Sequence, residues 1–575
     1  MDRFRSYSDM KGELQMKSIY SNTSKSLLLI SLTYLFSQGF LLVLTGRWWD
    51  DWCMWGASED ILVEWAQQAA LIPGKWIWLI ERSMSDRWHF GLVFLLMYFV
   101  GILIYFILKD SKFFSDKACF YITIIYVNFP CFDARAFLCV MLYVECLFLF
   151  VLAAYFMIRG VCAERIGSKI VLRLVSLGLF SLSFWTESLL FFYAVPFLYL
   201  YANEVRRAGE GKKISLKLLI RLIPSVFKYT DYILLPFLFY FWKRLYYPVY
   251  GRYAGYNLVS IKSIVAAMVN QLRFAFRLMC NIFSSDIWSW IYGLVGLVCL
   301  MILLFSTKLH KYEQAERLEA EERGMYYILF GIIVLVCGIF PYEVIRGRAL
   351  ETVTITGRDS MLMPLGCAII IYYMLDALRM QKRFIILIYC YAVLVSQIHF
   401  NVWYMEYQKD WYYQEAWAAQ IANIEEVRDN NTFIILEEDA GVVGGHAFYT
   451  FTWNANRVFG DEQRLFMPAA GGHHLFQVIQ KEQETIGPGQ FGISNYDFND
   501  TAIDGIIVST CTISVRDVIT LKFAEIFDKD AYEEKVKTAA SLGYIPITPN
   551  QSDQVMKALE EGRLTREAVY IITGK

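Results

Sequence analysis

The chain has 575 residues, 57% hydrophobic, 17% aromatic and only 19% charged, with a mean hydropathy of +0.38 and a formal net charge of −1. A soluble domain is nearer half apolar and a quarter charged, and a nucleic-acid-binding protein carries a basic excess, so the composition argues against both. It describes a polytopic α-helical membrane protein.

Met1 to Lys25 is polar and no small-residue cleavage site follows, so the apolar run from Ser26 is expected to remain as a signal anchor behind a cytoplasmic segment, 1–26. Crossing about 30 Å of hydrocarbon takes roughly 20 helical residues. Suitable runs fall at 27–45, 90–108, 118–130, 137–158, 170–184, 187–202, 231–247, 286–306, 325–345, 361–378 and 383–403. They predict about eleven transmembrane helices in a region spanning 27–403, the third and fifth being short. With all of them counted, Lys109, Lys112 and Lys117, then Arg206, Arg207, Lys212 and Lys213, then Arg379, Lys382 and Arg383 fall on one side. The positive-inside rule makes that side cytoplasmic, together with the N-terminus, and puts the loop at Asp50 outside. An odd helix count places the C-terminal segment outside as well.

The first outer loop, 46–89, opens on Trp48-Trp49-Asp50-Asp51-Trp52, and its segments 59–65 and 74–80 have Trp-rich faces that suit helices lying in the headgroup plane. Adjacent carboxylates at a membrane surface sit where the dielectric is falling, so Asp50 and Asp51 are expected to bind a cation or handle a proton. Shorter outer loops carry Asp133 beside Arg135, Glu187 after Trp185, and Arg346-Gly347-Arg348 leading to Gly357-Arg358-Asp359-Ser360.

From Tyr404 onward, 14 Lys and Arg stand against 26 Asp and Glu, net −12, which leaves 40 against 29, net +11, for the preceding part. Residues 404–575 read as a small extracytoplasmic α/β domain with a partly parallel sheet: a helix at 411–427, buried strands at 432–436 and 505–508, helices at 515–527 and 531–542, and a last strand at 545–548. His473 and His474 are adjacent but lack the partner spacing of a zinc signature. Most of the twelve Cys lie inside apolar runs and Cys511 is alone in the tail, so no disulfide framework is expected.

A first span ending in an acidic pair, a long first outer loop of interfacial helices, some eleven spans and a C-terminal α/β domain together resemble the GT-C superfamily of integral membrane glycosyltransferases. The resemblance covers the membrane part and rests on topology more than on any one motif. It implies transfer of a hexosyl or pentosyl unit from a polyprenyl-phosphate donor to a glycan, lipid or protein acceptor of the cell envelope, outside the plasma (inner) membrane. It also implies a catalytic acid at Asp50 or Asp51 and a second acid at Asp133, with Glu187 a further candidate. The His-Pro-Pro or Lys-Pro-Pro element of some relatives is missing, and Trp48-Trp49-Asp50-Asp51 is not the Trp-Trp-Asp-Tyr-Gly element of oligosaccharyltransferases, so the branch stays open.

Such chemistry needs a base for the acceptor hydroxyl and positive charge at the departing phosphate. Asp50 or Asp51 answers the first need. Arg358, Arg346 and Arg348 answer the second, because a guanidinium grips phosphate oxygens in two-pronged fashion. A divalent cation, Mg or Mn, held by Asp51 and Asp133 would share that role, and the carboxylates alone leave it open. Structural alternatives stand beside each candidate: Asp133 can pair with Arg135, Glu187 can cap a helix, Arg358 can pair with Asp359, and His89 can be an interfacial hydrogen-bonder. Two other classes compete, a transporter or lipid-linked glycan flippase and an envelope-assembly protein. The first would show ionisable residues near mid-membrane, which are sparse here, and the second would leave Asp50 and Asp51 replaceable.

Overall fold

The computed structural model describes residues 23–208, 223–255, 259–266, 269, 298, 324–345, 355–377, 382–438, 446, 448–469, 479–480, 492–499 and 502–575. Helix α1 (Thr23–Leu42) leads through three short helices, α2 (Asp51–Gly56), α3 (Glu59–Gln68) and α4 (Ile72–Ser83), into α5 (Asp86–Ser111) and α6 (Asp116–Val127). There follow α7 (Met141–Cys162), α8 (Ile166–Ser183), α9 (Ser188–Phe192), α10 (Ala194–Ala208), α11 (Thr230–Tyr246), α12 (Gly324–Glu343), α13 (Met363–Ala377) and α14 (Lys382–Ile421). Among the described residues seven helices are long and apolar enough to cross a membrane: α1, α5, α7, α8, α9 with α10, α12 and α14. The runs expected at 118–130, 231–247 and 361–378 form α6, α11 and α13, of 12, 17 and 15 residues. These fall short of the roughly 20 residues of a perpendicular crossing. The run at 286–306 lies outside the described residues, apart from Val298.

Large apolar side chains on these helices face outward, among them Phe36 at 68% and Leu174 at 64% exposure. In water such continuous apolar surface is unfavourable, whereas hydrocarbon is its natural solvent. The protein is membrane-embedded.

The last span does not stop at Trp403. Neither Gly nor Pro interrupts the chain between Lys382 and Ile421, and α14 runs as one helix of 40 residues, about 60 Å long at 1.5 Å per residue. The helix expected at 411–427 is thus the distal part of the last span, and it ends at Ile421. Its aromatic residues Tyr404, Tyr407, Tyr412, Tyr413 and Trp417 are fully buried.

Around that distal part a four-stranded sheet is ordered β2-β1-β3-β4, from β1 (Thr432–Glu438), β2 (Leu465–Pro468), β3 (Gly505–Cys511) and β4 (Ala540–Pro546). β1 runs parallel to β2 and β3, pairing Ile434 with Met467 and Ile506, and β4 runs antiparallel to β3, pairing Leu542 with Ser509. Parallel strands covered on both faces read as unbroken apolar runs, which is why β1 and β3 are visible in sequence. β2, only four residues long and ending in Pro468, is not. Helix α15 (Phe448–Phe459) precedes β2, and α16 (Val515–Phe527) follows β3 from a Ser514–Asp517 capping box. α17 (Lys529–Val536) is shorter than the helix expected at 531–542, because residues from Ala540 onward pair with β3 instead. Two helices, α18 (Pro549–Glu560) and α19 (Arg566–Thr573), close the chain.

Candidate functional site

The loop after α1 is built inward. Gly46 has φ +134, and a Cβ there would lie 2.8 Å from both Trp411 and Trp48, so only glycine fits this turn. Trp48 is buried, donates its indole N–H to the Tyr407 carbonyl at 3.0 Å and packs against Phe90, Phe137 and Tyr407. Trp52, fully buried, donates to Gln414 Oε1 at 2.9 Å and stacks on Trp411 with ring centres 6.0 Å apart. These tryptophans therefore plug the loop onto α14. Trp76 and Trp88, at 62% and 72% exposure, have the character of an aromatic belt.

The two adjacent acids part company. Asp51 is 1% exposed; one carboxylate oxygen accepts from the Cys139 amide at 2.9 Å and the other from the Trp48 amide at 3.2 Å. Burial pushes its carboxyl up to about 7, against the pull of those amides. It ties the loop to the start of α7. Asp50, at the N-terminal edge of α2, is only half-buried, and accepts a hydrogen bond from the Tyr449 hydroxyl of α15 at 2.6 Å. Of the pair, Asp50 is the more exposed.

Asp133 is buried in a tight turn, and its carboxylate accepts from the Tyr407 hydroxyl at 2.7 Å. Arg135 is directed instead to the carbonyls of Phe132 and Cys131, each at 2.6 Å, beneath the Phe400 ring. The turn carrying Arg358 docks on this one, since the Phe132 amide donates to Ser360 Oγ at 3.0 Å. Arg358 sits 3.9 Å from Asp359, a distance for loose attraction, and over the Tyr143 ring. Asp51 is thus tied to Cys139, Asp133 to Tyr407, whose carbonyl holds Trp48, and the Asp133 turn to Ser360, so the acidic loop and the turns carrying Asp133 and Arg358 are neighbours. Glu187 pairs with buried Lys243 at 2.9 Å, beside Trp185, and makes no side-chain cap on α9. His89 is buried, with no hydrogen-bond partner for its ring nitrogens among the described residues. Arg346, Arg348, His473 and His474 lie outside the described residues.

An apolar cavity of about 260 Å³ runs between α5, α7, α10, α12 and α13. Phe150, Tyr199, Phe330 and Ile369 line it, and its wall reaches Met361 and Leu362, directly after the Arg358-Asp359-Ser360 turn. From the level of Leu147 to that of Ile158 it follows α7 over 11 residues, about 16 Å of helix.

A second polar cluster escapes sequence reading altogether. His446 lies between Asp410 of α14 and Glu437 of β1, with Nε2 and Nδ1 each 2.7 Å from a carboxylate oxygen, and all three side chains are largely buried. Burial alone would push the imidazole down, but Asp410 and Glu437 outweigh it and hold it up at about 10. Gln414 links this cluster to the acidic loop, donating to Asp410 at 2.9 Å while accepting from Trp52. The available signal was the i,i+4 pair Asp410 and Gln414, which becomes one helix face only once α14 is continuous. Among the described residues no three His, Cys, Asp or Glu side chains converge as a metal site requires. The chain matches no protein-family model and no curated protein.

Proposed function

We propose that the protein is a membrane glycosyltransferase that moves a sugar from a polyprenyl-phosphate donor to a cell-envelope glycan, lipid or protein on the extracytoplasmic face. The observation that carries this reading is the docking of the Asp133 turn on the Arg358 turn, with the Asp50 loop tied to Cys139 through Asp51 and an apolar cavity starting beside the Arg358 turn. An acid, a guanidinium and a hydrocarbon-lined cavity are what a sugar carried on a lipid phosphate requires. Asp50 takes the proton of the acceptor hydroxyl as its oxygen attacks the anomeric carbon; the bond from that carbon to the phosphate oxygen breaks, and Arg358 holds the departing lipid phosphate. Asp51 keeps the loop in place. Asp133 would hold a divalent cation such as Mg or Mn, which would supply positive charge at the departing phosphate, since Asp51 already commits both oxygens to amides. In this reading the N-terminus is cytoplasmic, and Arg206 and Arg207 mark the cytoplasmic ends.

The test is transfer of labelled sugar from polyprenyl phosphate by purified protein in lipid. Asp50→Asn keeps the size of the side chain but removes its proton affinity, and transfer is expected to fall about 10²-fold or more at unchanged abundance. Arg358→Lys is expected to weaken donor use more than acceptor use, a point charge replacing a planar fork. Undiminished turnover in Asp50→Asn would refute the catalytic reading and favour a transporter or assembly role.

A further inference from the structure

We propose that α16 is an interfacial helix, with Ile519, Phe523, Ile526 and Phe527 inserted into the leaflet of the bilayer on its own side of the membrane. The sequence Val-Arg-Asp-Val-Ile-Thr-Leu-Lys-Phe-Ala-Glu-Ile-Phe buries Val518, Leu521, Lys522 and Ala524. At 3.6 residues per turn the four proposed residues form a stripe on another face. They are exposed by 49%, 62%, 43% and 77%, and the rings of Phe523 and Phe527 stack with centres 6.0 Å apart. Such a stripe is out of place on an acidic segment surrounded by water.

Two anchors set its depth. Lys522 Nζ donates to Thr45 Oγ1 at 2.9 Å and to Gln408 Oε1 at 3.1 Å, and Thr45 Oγ1 donates to Glu525 at 3.1 Å. Thr45 is three residues beyond Leu42, the end of α1, so even a fully extended connection holds it within about 10 Å of that end. Two residues on from Thr45, Arg47 pairs with Asp86 at 3.2 Å, where α5 begins. α16 thus lies across the ends of two membrane spans, within the headgroup layer that flanks about 30 Å of hydrocarbon. Exposed Trp88 at the start of α5 marks the same level. Arg516 and Lys529, exposed at the two ends of the stripe, can extend to lipid phosphates. The stripe therefore continues the lipid-facing surface of the spans rather than forming an isolated patch.

Spin labels on Phe523→Cys and, as a solvent control, Asp553→Cys test this in the full-length protein with reactive thiols removed, in lipid nanodiscs. Phe523 is exposed, so the label leaves the packing of α16 intact. Dissolved oxygen is expected to relax the label at 523 several-fold more effectively than a water-soluble nickel chelate, with the order reversed at 553. A chelate-accessible label at 523 would overturn the proposal in favour of a solvated face. Protection from both agents, lost on dilution to one protein per disc, would overturn it in favour of a second copy.

Discussion

One turn of α14, from Asp410 to Gln414, holds two polar clusters by different means. Towards the membrane it fixes the Asp50 loop through neutral contacts: an indole N–H and stacked rings. Towards the sheet it fixes β1 and His446 through two ion pairs. The first arrangement leaves one carboxylate, Asp50, half-buried; the second surrounds a cation with carboxylates and leaves little exposed. A half-buried acid held by one hydroxyl can coexist with a ligand, whereas a closed ion triplet secures structure. On the glycosyltransferase reading proposed above, the first cluster carries the chemistry and the second fastens the fold.

The harshest way to break that assignment is to remove the shared element. The domain boundary expected near Trp403 suggests that a truncated membrane part would keep its donor site, but Tyr407, Trp411 and Gln414, which position the acidic loop, all lie beyond it. Truncation after Trp403 is therefore expected to abolish transfer altogether, even in molecules that insert into membranes. Transfer to a simple soluble acceptor, measured per inserted molecule, decides it: retained turnover would show that α14 beyond Trp403 does not organise the site.

Next in size is the loss of the central cation. His446→Ala leaves Asp410 and Glu437 buried without their counter-charge, a destabilisation of about 3–5 kcal/mol, to be read from thermal unfolding of the purified protein. The pH dependence follows from the same contacts. The folded imidazole titrates near 10 and the unfolded one near 6.5, so its contribution is fully present below about 6.5 and declines as pH rises through about 10. Melting temperature should fall over that window in the native protein and less in His446→Ala. Equal slopes would show that His446 carries no charge in the fold.

What the sequence revealed and what it hid follow from the range of the interactions. Membrane spans are legible because hydrocarbon demands apolar length from each segment by itself, and β1 and β3 are legible because burial on both faces removes polar residues locally. Asp50 and Asp51 stood out as acids beside tryptophans, but their division of labour depends on Cys139, 88 residues from Asp51, and Tyr449, 399 residues from Asp50. Asp133 finds Tyr407 across 274 residues, which is why a pairing with nearby Arg135 looked equally good. The continuity of α14 was readable in the lack of Gly and Pro from Lys382 to Ile421; a composition shift near Trp403 obscured it. His446 follows a glycine-rich stretch with no periodicity, and only the fold delivers two carboxylates to its ring.

The smallest expected effect sharpens the comparison most, because it concerns a side chain of the sheet-bearing part that touches the proposed base. Tyr449 donates to Asp50 at 2.6 Å from the first turn of α15. A hydrogen bond to a charged acceptor is worth about 1.5–3 kcal/mol, but part of it is lost as Asp50 takes up a proton, so removing it costs orientation more than driving force. Tyr449→Phe keeps the ring in its buried position and deletes only the hydroxyl. Turnover should fall by about tenfold at most, with KM for the lipid donor unchanged, because the contact is to the base and not to the phosphate side at Arg358. Thermal stability should stay close to that of the native protein, in contrast to His446→Ala. If Tyr449→Phe instead raises KM for the donor while sparing kcat, Tyr449 contacts the lipid-linked sugar directly. If it lowers stability as much as His446→Ala, the Asp50–Tyr449 contact belongs with the fastening cluster, and the division between the two sides of α14 fails.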